Sequence, residues 1–420
     1  MSQENKDEVN VLIIGNGLDI SLDYPTKYGD FLNFCEMMQS IYEFANHKLV
    51  AHLFLAKEFD RFIYRYQSEL DRKTGEQEKE LDKGKFCFWE KFKSLFVDQN
   101  AKVIDHLWKL IIDNIWIEYF QKIYIDRTIR GENWIDLEEE IRNVILEVEK
   151  NKDVRFSVVD TRAAGYSISI STVLERISHP VSHRGLSVNE NEEIFRNFSK
   201  KARIDYDRFI VALDIYLDFF VSRLDSSNSK KIKQLLYIED VVDYIICFNY
   251  KNNFTRGYSV ARDIETCMVH GKLQYSNEIK NNDDIEQLVN NNNMVIGFQD
   301  DSDEVKDLTF VYYRKYFQRI VKGTGNAYLS WFNEAERTNK RINVYVVGHS
   351  LGSMDADVFR TLFYFPHVHF TIFYYTDGKN TDLESKVLNL MKMLGKDDVI
   401  KFTSGQDPVI KFEEQRYSNE

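Results

Sequence analysis

A short apolar run, Val9 to Ile14, stops abruptly at Gly15-Asn16-Gly17-Leu18-Asp19, and this junction constrains the fold more than any other feature of the chain. A nearly uninterrupted run of branched apolar residues reads as a strand buried on both faces, which belongs in a parallel sheet covered by helices. Glycines directly after such a strand permit a tight turn and let backbone N–H groups approach an anion, while the helix that follows adds its dipole. The third glycine of a dinucleotide fingerprint is absent, because Ile20 stands there. Glu36, near the ribose-binding spacing, falls in a helical pattern and not at a strand's end. The turn is therefore not an ordinary dehydrogenase signature, and a tight turn without ligand is the competing reading.

Helical periodicity follows from Tyr28 to Tyr42, and helix-like patterns dominate as far as Leu236, as in Phe86–Phe96 and Val103–Tyr124. Loops are expected at Gly75–Gly84 and at Ser178–Glu192, which holds Pro180 and Gly185. Strand signals then return. Val241–Phe248 ends at Asn249, Thr266–Val269 at His270 and Gly271, Met294–Ile296 at Gly297, and Ile342–Val347 at Gly348. A helix-like stretch, Phe310–Asn339, separates the last two. His367–Tyr375 is a further strand, a weak last one is expected near Val399, and the asparagine-rich Asn281–Asn293 reads as a loop. These elements predict an α/β fold: a Rossmann-like, mainly parallel sheet with a large helical insertion after its first strand. Residues 1–30 and 237–420 would form the nucleotide-binding core, and 31–236 the mainly helical insertion.

With 43% hydrophobic residues among 420, the chain can bury a sizeable core. The net charge of −12 argues against a general nucleic-acid binder, since duplexes are held through cations on phosphates. Lys230, Lys231 and Lys233 read as a solvated helix face. Cys35, Cys87, Cys247 and Cys267 form no CxxC pair and fit reduced, buried thiols of a cytoplasmic protein. The start of the chain has no apolar signal segment, and no long apolar stretch suggests a membrane span. His179 and His183 flank Pro180, and His367 and His369 lack nearby cysteines, so no metal site is expected.

The polar motifs fall at the carboxyl ends of the expected strands, where ligands of such sheets bind. Thr26 reads as a helix N-cap, with Asp30 in the first turn, and neither role excludes a ligand contact. Asn249 and His270 become candidates for ribose orientation and base chemistry if their strands share one crevice. Gly348-His349-Ser350-Leu351-Gly352 matches the GxSxG elbow of serine hydrolases. That chemistry needs an acid and then a histidine downstream. The acids before His367 and His369, Asp355 and Asp357, lie in the helix after the elbow, and no histidine follows Asp377 or Asp382. A serine hydrolase is the lesser alternative. The acidic segment Asn133–Glu140 reads as a helix start with structural capping.

Taken in order, LIIGNGLDISLDYPTKYGDF, NWIDLEEEI, ICFNYKNN, VHG, VIGFQDD, KYFQRI and VVGHSLGSMDAD resemble the AbiH family of bacterial phage abortive-infection proteins. Gly352 departs from the pattern, in which a polar or acidic residue follows the Gly-His-Ser-Leu segment. The pattern is more remotely similar to sirtuin-like NAD-binding folds, though without their four-cysteine zinc module. That likeness implies NAD as ligand or substrate, with Asn249 and His270 catalytic. It implies Gly15, Asn16, Gly17, Asp19, Thr26, Tyr28, Gly271, Gly348, His349, Ser350 and Leu351 as cofactor contacts. Two functions remain open: an NAD glycohydrolase-like defence effector, or a non-catalytic nucleotide sensor acting through self-assembly or a phage-derived trigger.

Overall fold

The strand expected at the start of the chain forms because Val11, Leu12, Ile13 and Ile14 are fully buried on both faces of a sheet. A computed structural model describes residues 7–44, 55–72, 76–132, 134–150, 170, 188–224, 231–275, 285–299 and 308–418. Its strands are β1 (Glu8–Ile14), β2 (Tyr244–Cys247), β3 (Glu265–Met268), β4 (Arg341–Val347), β5 (Val368–Tyr374) and β6 (Ile410–Glu414). They make one sheet in the order β3-β2-β1-β4-β5-β6, with every neighbouring pair parallel. This is the Rossmann strand order. Ile14 stands level with Cys247 of β2 and Val347 of β4, so three strands release the chain at one height.

The two faces of the sheet are covered differently. Leu12, Ile14, Ile245, Cys247 and Val347 share one apolar core with the helices between β1 and β2. That core is rich in aromatic contacts: Phe34 lies 4.9 Å from Tyr216 and 4.7 Å from Phe220, ring centre to ring centre. Val11, Ile13, Ile246, Val344 and Val346 face the other way, onto Trp331, Phe359, Leu390 and Val399 of the helices that flank β4 and β5. Among the described residues, no helix is long and apolar enough to cross a membrane. Cys35, Cys247 and Cys267 are buried, whereas Cys87 is exposed.

Several sequence expectations are corrected. Val103–Tyr124 is two helices, Ala101–Ile111 and Ile115–Ile129. Asp113 turns left-handed between them (φ 51°), and Asn114 Oδ1 accepts from the N–H groups of Trp116 and Ile117 to cap the second. From Glu76 on, the expected loop Gly75–Gly84 is helix, Glu76–Glu90, which also ends the Phe86–Phe96 pattern early, while Gly75 lies outside the described residues. Ile285–Asn291, within the asparagine-rich segment, is helical. Val399 lies in the helix Lys396–Thr403, begun by Asp397 and Asp398 in its first turn, and the last strand is β6. Met294–Ile296 is buried but is not a strand. Side chains and loops take its backbone groups: Tyr250 donates to the Val295 carbonyl, Gln318 accepts from Ile296 N–H, and the His270 carbonyl accepts from Val295 N–H. The expected loop Ser178–Glu192 becomes helix Val188–Ile215 from its eleventh position, and the rest, with His179, Pro180, His183 and Gly185, lies outside the described residues.

The turns after β1 and β4 interlock through backbone. Gly17 N–H donates to the Gly348 carbonyl at 2.8 Å, and Gly15 N–H to the Val347 carbonyl at 3.0 Å. A Cβ on Gly17 would stand 2.7 Å from Gly348 Cα, and one on Gly348 would stand 2.2 Å from Leu18 N. Gly348 also has φ of 66°, which side chains disfavour.

Gly17→Ala and Gly348→Ala are expected to lower the unfolding free energy by about 2 kcal/mol or more, through clash and backbone strain. Gly84→Ala, inside a helix with nothing within 4 Å of the new methyl, should raise it by about 0.5–1 kcal/mol. Urea titrations of the three variants decide this, and equal midpoints would refute it.

Candidate functional site

In a sheet of this order, the crevice opens where neighbouring strands send the chain to opposite faces, here between β1 and β4. A cavity of about 1700 Å³ lies there, large enough for a dinucleotide. Gly15, Asn16, Gly17, Asp19, Thr26, Tyr28, Asn249, His270, Gly348, His349 and Ser350 all line it. The β1, β2, β3 and β4 exits thus converge as the sequence suggested. Gly271 and Leu351 do not line the cavity. Gly271 packs against the Asn293 carbonyl, and Leu351 (φ 58°) is fully buried.

The glycine turn differs chemically from the expected phosphate cradle. The N–H groups of Gly15, Gly17 and Leu18 are already donated to the carbonyls of Val347, Gly348 and Gly15. The glycines therefore serve the close approach of two backbones. Thr26 does not cap the next helix, because its hydroxyl donates to Asn16 Oδ1. Asp30, in the first turn of that helix, reaches back and accepts from Lys27 N–H at 3.1 Å.

Three buried side chains on the cavity wall leave a polar atom without a partner: Asp19 Oδ1, Asn249 Nδ2 and His270 Nδ1. Their residues are 3%, 9% and 5% exposed, so water does not readily compensate them. Asn249 and His270 are thus buried in the wall at the exits of β2 and β3. Burial raises the Asp19 carboxyl to about 7, against the lowering influence of the Asn253 and Asn249 amides and the Lys251 ammonium.

Within the same wall sits a charge cluster centred on Asp355. His270 Nε2 lies 3.0 Å from its Oδ1, His349 Nε2 3.3 Å from its Oδ2, and Lys315 Nζ 2.8 Å from Oδ1. His349 Nδ1 accepts from Leu351 N–H at 2.9 Å, so its single proton sits on Nε2 and is donated to Asp355. Burial, together with the nearby Lys315 charge, lowers His270 to about 3, so it too is neutral. With Nε2–H turned to Asp355, the lone pair of its Nδ1 is left unpaired. Burial alone would raise Asp355, but the Lys315 ammonium and the two imidazoles outweigh it and hold the carboxyl well below its usual range.

Sequence reasoning missed Lys315, Asp355 and Glu138 as site residues. Lys315 is 1% exposed and also binds Glu138 Oε2 at 2.7 Å. One ammonium thus serves two carboxylates. Asp355 has two further donors, and burial pushes Glu138 upward. Glu138 opens the helix Leu137–Lys150, whose capping is real: Asp136 accepts from the N–H groups of Glu138 and Glu139. Asn133 lies outside the described residues. The signal existed, since KYFQRI and MDAD contain Lys315 and Asp355.

Ser350 is exposed, and its Oγ accepts only a 3.3 Å bond from Gly352 N–H. Both nearby imidazoles point their Nε2 at Asp355, which leaves the serine without the hydrogen-bonded base a nucleophile needs. Among the described residues, no group of three or more His, Cys, Asp or Glu could hold a metal ion. The lining carboxylates Asp19, Asp23, Asp136, Glu138, Glu139, Asp355, Asp377, Asp382 and Glu414 outnumber Arg127, Lys251, Lys315 and Lys386. Each of those four cations already has a protein partner.

A family model described as bacteriophage abortive infection AbiH matches residues 11–375. No curated protein and no solved structure matches the chain.

Lys315→Met leaves two buried carboxylates without their cation and should cost about 3–5 kcal/mol in urea unfolding at pH 7. Asp355 is depressed in the folded state, so its stabilisation is complete above its unfolded pKa, about 4, and fades as pH falls through the folded value. The gap between wild type and variant should therefore narrow below about pH 4. A fluorophosphonate probe should leave Ser350 unlabelled, and labelling abolished by Ser350→Ala would restore the hydrolase alternative.

Proposed function

Because the chain belongs to the AbiH family of bacteriophage abortive-infection proteins, we propose that it is a defence effector whose crevice binds a nucleotide, NAD foremost, and hydrolyses the nicotinamide–ribose bond. The observation that carries this reading is that three residues lining one cavity, Asp19, Asn249 and His270, each hold a buried polar atom without a partner, Oδ1, Nδ2 and Nδ1. Such atoms are costly unless a ligand completes them.

The chemistry fits this donor and acceptor set. Nicotinamide leaves a cationic pyridinium as a neutral base and needs no general acid, unlike a departing sugar. The site must orient the ribose, tolerate positive charge at C1′ and admit water. Asn249 Nδ2 donates to a ribose hydroxyl, and neutral His270 accepts through Nδ1 from a hydroxyl or water. The surplus of carboxylates around the crevice suits a pyridinium and an oxocarbenium-like centre. In this reading the pyrophosphate lies toward the mouth, beside Asn16, Ser350 and Ser353, because the N–H groups of Gly15, Gly17 and Leu18 are occupied.

One observation favours the alternative, a nucleotide sensor without turnover: a histidine lowered to about 3 is a weak base.

With NAD supplied, wild type should release free nicotinamide, measured by chromatography. Asn249→Ala should reduce release by about 100-fold or more and His270→Ala comparably, each still melting cooperatively. Among the described residues Asn249 Nδ2 faces Asp19 but makes no close hydrogen bond, so its variant should melt close to wild type. Full activity in folded variants would remove both residues from the site. NAD binding by calorimetry with no nicotinamide released would favour the sensor.

A further inference from the structure

We infer that Asp19 is the catalytic base of this crevice: its Oδ1 takes a proton from the water that attacks C1′ of the ribose. The inference rests on the hydrolase reading above and assigns it the proton acceptor that His270 is poorly suited to be.

Two other carboxylates near helix starts have structural work that accounts for them. Asp30 accepts from Lys27 N–H, and Asp136 accepts from the N–H groups of Glu138 and Glu139. Asp19 stands in the first turn of the short helix Asn16–Ser21, yet its Oδ1 has no donor, although the residue is 3% exposed. It lines the same cavity as Asn249 and His270. The groups facing it are the Asn249 and Asn253 amides and the Lys251 ammonium from the loop after β2, and the Cys247 thiol of β2. Lys251 is itself held by the Ser222 hydroxyl at 2.7 Å. Among the described residues no cation touches Asp19, and burial raises its carboxyl to about 7, where a base is both populated and effective.

In the step itself, the water oxygen bonds to C1′ as one of its protons passes to Asp19 Oδ1. The C1′–N bond breaks, and its electron pair returns to the pyridinium nitrogen, which departs as neutral nicotinamide. The enzyme then holds a protonated carboxylic acid, which solvent deprotonates to reset the site. No oxidant, reductant or metal is needed for the balance.

The test is a pH–rate profile of nicotinamide release by the full chain, with Asp19→Asn as the near-isosteric variant. Wild-type kcat should rise through about pH 7 and then level off. Glu138, the other carboxyl in the cavity that burial raises, is bound to Lys315, so Glu138→Gln should retain that limb. Asp19→Asn should lose about 100-fold or more of kcat and lose the limb, with NAD affinity by calorimetry changed by less than about threefold. A melting series supplies an independent readout. A carboxyl raised on folding makes wild type less stable as pH climbs from about 4 to about 7, so Asp19→Asn should melt higher than wild type at pH 8 and alike at pH 4. Wild-type turnover in Asp19→Asn, or a surviving limb, overturns the assignment and leaves the hydrolase reading intact. Wild type that binds NAD but releases no nicotinamide at any pH overturns both.

Discussion

The site depends on one backbone contact, the passage of the turn after β1 beneath the turn after β4. Gly17 N–H on the Gly348 carbonyl brings two loops, far apart in sequence, closer than any pair of side chains would allow. The same contact directs the chain beyond it. With Gly348 left-handed, the backbone turns so that the His349 ring faces Asp355 while Ser350 points to the open crevice. Asp19, two residues beyond Gly17, is carried under the same junction. The glycine pair therefore fixes the crevice geometry.

A second constraint is electrostatic. Glu138 comes from the helical region between β1 and β2, Lys315 from the helix Lys315–Lys322, and Asp355 from the turn leading out of β4. A single buried ammonium ties the three together. A buried ion pair is weak evidence for stability but demands a defined geometry, because a partner left alone is expensive. Burial keeps the two imidazoles neutral and Asp355 orients them, which leaves His270 Nδ1 as an open acceptor.

Much of this architecture was legible in the sequence, and for physical reasons. β1, β2, β3 and β4 announce themselves as apolar runs broken by Gly, Asn or His, because buried parallel strands need the first and their exits need the second. Met294–Ile296 has the same pattern and is no strand, since periodicity reports burial and cannot say which group receives each backbone hydrogen bond. Glu138 looked like an ordinary acid in a first helical turn, and its neighbours do behave so. Its contact with Lys315 joins two distant parts of the chain and leaves no local trace. The unpartnered state of Asp19, Asn249 and His270 is likewise a property of the assembled wall, not of any motif.

The sheet also has an order of assembly written into it. Asn10 of β1 meets Asn343 of β4 side chain to side chain, 333 positions further along the chain. At roughly 5–20 residues per second, a ribosome needs on the order of 20–60 s to deliver that partner once β1 has appeared. Until then the first strand, buried on both faces in the finished protein, has at most one neighbour, and Gly348, His349 and Asp355 do not yet exist as a wall. A nascent chain interrupted before β4 carries the glycine turn and the Asn249 exit but encloses no crevice. Late completion of this kind ties the closing of the crevice to the arrival of β4.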